Sequence, residues 1–133
     1  MFRKFSIDAA KPFFIFDTRG DWHATIFTTS IFDTRGEYVG FIRGEDHDVY
    51  TTIGEWIGNL WSDGRIIRKR STEQRRPLVK DLPPKPAKPE KLPARAPLPP
   101  MFAELGFDKI DVLEWDDEVF KRVSDMMSDM GEG

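Results

Sequence analysis

Cysteine is absent from this 133-residue chain, so neither a disulfide framework nor thiolate chemistry is available, and a reducing compartment is compatible with it. Histidine occurs only at 23 and 47, with no zinc spacing around either. No apolar run approaches the ~18 residues of a membrane-spanning helix. Met1 to Pro12 carries Arg3 and Lys4 but lacks the sustained apolar stretch of a secretory leader. The expectation is a soluble cytoplasmic protein without a transmembrane segment, which leaves peripheral membrane contact open. Gly-rich phosphate loops and nucleophile elbows are missing too, so the sequence offers no catalytic residue, metal site or cofactor, and the chain reads as non-enzymatic.

What is there is a hexapeptide written twice. Ile15-Phe16-Asp17-Thr18-Arg19-Gly20 returns as Ile31-Phe32-Asp33-Thr34-Arg35-Gly36, and a looser copy runs Val49-Tyr50-Thr51-Thr52-Ile53-Gly54. Each copy reads as a β-hairpin: a strand end, a polar pair, and a Gly supplying the positive φ of a short hairpin loop. Asp17 and Asp33 take the turn position where an Asx side chain bonds the backbone two residues on, which explains them better than acid/base work does. The following strands align as Trp22-x-Ala24-x-Ile26, Tyr38-x-Gly40-x-Ile42 and Trp56-x-Gly58-x-Leu60, which predicts aromatic, small and aliphatic side chains on one face at period two. A small residue inside a strand marks the close approach of another backbone or of a ligand.

A unit of 16 to 18 residues cannot bury its apolar face alone. Three or four hairpins about a shared axis would form a shallow pseudo-symmetric barrel with few open edges. A fourth unit is expected from Trp61, the Ser62-Asp63-Gly64 turn and Arg65-Ile66-Ile67, completed by Phe2 to Ile7 as a strand. The hairpin grammar of Ile31 to Ile42 and Val49 to Ile67, followed by the Lys/Pro/Leu-rich stretch Pro77 to Pro100, resembles the four-fold β-flower family over roughly residues 13 to 100. The resemblance implies hairpin petals around a shallow core, no settled activity, and a concave apolar centre suited to a hydrophobic or amphiphilic small molecule.

The fold class expected is therefore mainly β, with an extended Pro-rich arm and a short C-terminal helix. The expected divisions are a β-hairpin domain over 1–70, a basic Pro-rich linker over 71–100, and an acidic segment over 101–133 with an amphipathic helix at 116–130. Charge follows these divisions closely: residues 1–64 carry 6 basic and 10 acidic side chains, 65–100 carry 11 and 3, and 101–133 carry 3 and 10. Nine of the ten prolines fall between Pro77 and Pro100, a tract that can join neither a helix nor a central strand and should run as polyproline II. The Arg65 to Lys80 basic stretch has no interleaved aromatics, and a solvated linker pairing with the acidic tail fits it better than nucleic acid. Asp116 is the expected N-cap of the C-terminal helix, with Trp115 and Phe120 as a hydrophobic staple.

Two kinds of site follow. Phe16, Trp22, Phe32, Tyr38, Tyr50, Trp56 and Trp61, with Gly40 and Gly58 leaving room, are the candidate ligand-binding residues of an aromatic-lined centre. Phe120, Val123, Met126, Met127 and Met130 form a stripe that needs a partner, whether the chain's own barrel, a second copy in a homo-oligomer or another protein. The second functional reading is a scaffold or adaptor acting through the arm and that helix. Glu45, Asp46, His47 and Asp48 read as a solvated loop rather than a metal site, and His23 reads as structural.

Overall fold

The structure, a computed structural model, describes residues 5–8, 11–70, 76–90 and 93–120. It is mainly β. Eight strands form one antiparallel meander in chain order: β1 (Phe13–Phe16), β2 (Trp22–Phe27), β3 (Ser30–Asp33), β4 (Tyr38–Arg43), β5 (Asp48–Thr51), β6 (Trp56–Leu60), β7 (Ile66–Lys69) and β8 (Lys109–Asp111). The sheet curls into a half-barrel, and one four-residue helix, α1 (Val112–Trp115), follows β8.

The repeat folds as a repeat. In the first turn the Asp17 N–H donates to Asp21 O at 3.0 Å and the Gly20 N–H to Asp17 O at 2.9 Å. The same pair of bonds recurs from Asp33 and Gly36, from Thr51 and Gly54, and from Trp61 and Gly64. The four glycines share φ between 88° and 93°, a region where a Cβ would clash. The fourth turn is thus a true sibling although its sequence, Trp61-Ser62-Asp63-Gly64, hides the kinship.

Its completing strand differs from expectation. Phe5 to Ile7 is not a strand; Phe5 instead stacks on Phe13 and His47, at ring distances of 5.9 and 4.3 Å. The strand that pairs with β7 is β8, delivered by the segment expected to be a separate acidic tail. Two contacts tie the ends of the sheet together. The Phe16 N–H donates to Gly64 O at 2.9 Å, and the Thr18 N–H and hydroxyl donate to one Asp111 carboxylate oxygen at 2.6 and 2.7 Å. Edge groups that would otherwise be open are satisfied in this way.

The core lies on one face of the sheet. Ile15, Ile31 and Val49 are fully buried and sit opposite Ala24, Gly40 and Gly58 in the ladder. Val112, Leu113, Val119 and Phe120 from the C-terminal segment join the same cluster, so this face is closed by the chain's own return.

Candidate binding surface

Each of the first three repeats contains a β-bulge, and the bulge decides where the aromatic residues go. Ile15 pairs with Ala24 but Phe16 pairs with Trp22, leaving His23 as the extra residue; Val39 and Ile57 are its counterparts. One inserted residue inverts the in-out alternation beyond it. Val39 and Ile57 accordingly join the core, and Trp22, Tyr38 and Trp56 do not. The expected face of aromatic, small and aliphatic side chains is therefore not formed, and the centre is mainly aliphatic, with Phe120 as its one buried ring among the described residues.

The aromatics gather on the opposite, outer face. Phe14 and Trp22 meet edge to face at 6.0 Å, Phe32 lies 6.0 Å from both Phe27 and Tyr38, and Phe41 stacks on Tyr50 at 5.1 Å. The Trp22 indole N–H donates to Ala24 O and Thr25 Oγ1 at 2.9 and 3.1 Å, which pins its ring over β2. Three register pairs, Phe16 with Trp22, Phe32 with Tyr38 and Tyr50 with Trp56, put one aromatic on each of six consecutive strands. This is a belt running across the sheet. Phe16 and Phe32 are buried, whereas Trp22, Tyr38, Tyr50 and Trp56 stay half-buried. Burial raises the Tyr38 pKa, partly opposed by the Arg43 charge, so the phenol is a neutral donor at ordinary pH. The Trp56 indole N–H is buried and has no acceptor among the described residues, a cost of ~1–3 kcal/mol that a ligand carbonyl would relieve.

Gly40 and Gly58 do mark close approach, and it is the chain itself that approaches. A Cβ on Gly40 would lie 2.3 Å from Tyr50 O and 3.2 Å from the Phe120 ring. One on Gly58 would meet Ile66, the Ile67 carbonyl and Val112 at 3.0 to 3.2 Å. Of the expected C-terminal stripe, Phe120 is buried against its own sheet, while Val123, Met126, Met127 and Met130 lie outside the described residues. The staple of Trp115 on Phe120 is not made, because Trp115 is 68% exposed and Phe120 only 7%. Of the helix expected at 116–130, Val119 and Phe120 are helical and residues 121–130 lie outside the described residues. A separate helical turn, α1, comes earlier, capped by Asp111, whose side chain accepts from the Leu113 and Glu114 N–H groups. Reading that segment from Asp116 onward missed it, since three residues of strand followed by one helical turn give no periodicity to detect.

Two polar groupings remain. Asp17 is buried and its carboxylate accepts from His23 Nε2 at 2.9 Å. Burial alone would raise its pKa, but the His23 bond and the Asp21 N–H outweigh this and lower it. Arg65, fully buried, donates through Nε to Asp63 at 3.0 Å and reaches Thr18 Oγ1 at 3.3 Å, with its guanidinium 5.0 Å from the Phe102 ring centre. This network joins the fourth turn to the first. His47 packs on Phe5, and burial lowers its pKa against the opposing charge of Asp46. No cluster able to hold a metal occurs among the described residues, and no described helix is long and apolar enough to cross a membrane.

The arm attaches to this surface at both ends. Arg76 stacks on Trp56 at 3.8 Å and lies 3.5 Å from Asp48. The Val79 N–H donates to Gly54 O at 3.0 Å. At the far end a Cβ on Gly20 would meet Pro99 at 3.1 Å, and Phe102 lies 6.4 Å from Phe16. No protein-family description, no curated protein and no solved structure matches this chain.

Proposed function

We propose that this chain is a non-enzymatic interaction module whose aromatic belt binds an extended partner peptide. The observation that supports it is the belt itself: six aromatics, one per strand, with four of them half-buried and one buried indole N–H that has no acceptor among the described residues. Aromatic rings aligned across strands offer shallow slots for alternate side chains of an extended chain, and an indole N–H fixes a backbone carbonyl between them. Affinity selection of a displayed random-peptide library on the immobilised full chain tests the reading. Enrichment of sequences whose capture is lost in Trp22→Ala and Trp56→Ala variants is expected; enrichment indifferent to those variants refutes it.

The other reading is a hydrophobic or amphiphilic ligand at the centre, as the β-flower resemblance implies. Such a ligand would have to displace Val112, Leu113, Val119 and Phe120, which fill that face. Native mass spectrometry of detergent-free protein separates the two: a reproducible lipid-like adduct favours the central ligand, and a bare mass favours the belt.

A further inference from the structure

The burial pattern along the arm repeats every three residues. Pro83, Pro86 and Pro89 are half-buried while every residue between them is exposed; beyond residues 91–92, half-burial falls on Pro93, Ala96, Pro99, Phe102 and Leu105 with the same spacing. Three residues per turn is the period of the polyproline II helix and of neither an α-helix nor a strand. A free arm would show no such period. Within each stretch one ridge of the arm therefore lies against the protein, the phase shifting by one residue between Pro89 and Pro93, and the ends of the arm are fixed where the belt ends, at Trp56 through Arg76 and at Phe16 through Phe102. The outward ridges are solvated: Lys85 and Lys88 stand exposed, three residues apart.

We infer that the belt is a receptor for polyproline II segments with Pro-x-x-Pro-x-x-Pro spacing, and that residues 83–90 and 93–102 occupy it in cis, masking it from a proline-rich partner strand. The inference rests on the proposed peptide-binding role of the belt and supplies its ligand class. The chemistry is that of flat rings against pyrrolidine faces, favoured because a preformed polyproline II helix has little entropy left to lose on docking. A tethered ligand at an effective concentration of ~1 mM competes ~10-fold against a free segment whose intrinsic Kd is ~100 μM.

The test titrates a fluorescent peptide of residues 76–102 into the full chain and into two full-length variants. Pro83→Glu/Pro86→Glu/Pro89→Glu unseats the docked ridge, and Pro84→Glu/Ala87→Glu changes only exposed positions. Expected is about tenfold tighter binding to the triple variant than to the unaltered chain, with the exposed-ridge variant matching the unaltered chain. Should the triple variant not fold, the single variant Pro86→Glu against Pro84→Glu supplies the same comparison. Equal affinity for all chains, unmasking by the exposed-ridge variant, or no binding by a folded triple variant overturns the inference. If the folded triple variant still enriches library peptides through Trp22 and Trp56, only the ligand class and the masking fall; if it enriches none, the peptide-binding reading falls with them.

Discussion

Gly40→Ala is the sharpest probe of how this sheet is packed. The backbone at Gly40 is compatible with any residue, since its φ is not among the positive ones, so the effect is steric. The new Cβ would stand 2.3 Å from Tyr50 O, where carbon and oxygen need about 3.3 Å, and β4 and β5 would have to separate by about 1 Å. Overpacking of this kind costs about 1–3 kcal/mol, and loosening a ladder bond adds about 1. Reduced freedom of the unfolded chain returns about 0.4–1. The net expectation is a loss of about 2 kcal/mol, read as a lower urea midpoint at unchanged slope. The Phe120 ring, at 3.2 Å, is the lesser obstacle because a side chain can turn aside. Adding Phe120→Leu to Gly40→Ala should therefore recover less than about 0.5 kcal/mol of coupling. A neutral Gly40→Ala would refute the steric reasoning outright, and a rescue of more than half by Phe120→Leu would show that the ring rather than the neighbouring strand sets the limit.

Asp111→Ala removes a buried acceptor serving Thr18 and the first turn of α1 together, and should cost about 2–4 kcal/mol by urea denaturation. Gly64→Ala combines φ of 93° with a Cβ 2.6 Å from Phe14 O, whereas Gly44→Ala has φ of 81° and open space. The first should therefore destabilise by at least about 1 kcal/mol more than the second, and equal melting points would refute the docking of the fourth turn on β1. For His47 the folded state binds its proton less tightly than the unfolded state does. Stability should thus rise with pH through the window up to about 6.5, and be lost below it. The melting temperature of His47→Asn should show a flatter slope between pH 5 and 7, Asn being tolerant of the φ of 53° found there. Asp17 works in the same sense at lower pH: its lowered pKa contributes stability present above about pH 3.9 and lost as the pH falls further, so Asp17→Asn should flatten the acid limb of the melting curve.

The hairpins were legible in the sequence because their signals are local. Asp or its substitute followed three residues later by Gly fixes a turn within five residues, and Ile15, Ile31 and Val49 repeat at matching places, so neither needs the rest of the chain to be understood. The side chosen by Trp22, Tyr38 and Trp56 was not legible, because a bulge exists only between two strands and inverts a face without changing a letter. The same holds for the completing strand. Three residues, Lys109 to Asp111, acquire their conformation from pairing with β7, forty residues away, and carry little strand propensity of their own. The prolines alone dictated an extended arm, since they can neither donate to a ladder nor continue a helix. Which of its residues are half-buried depended on the surface they meet, and only the curled sheet supplies that surface.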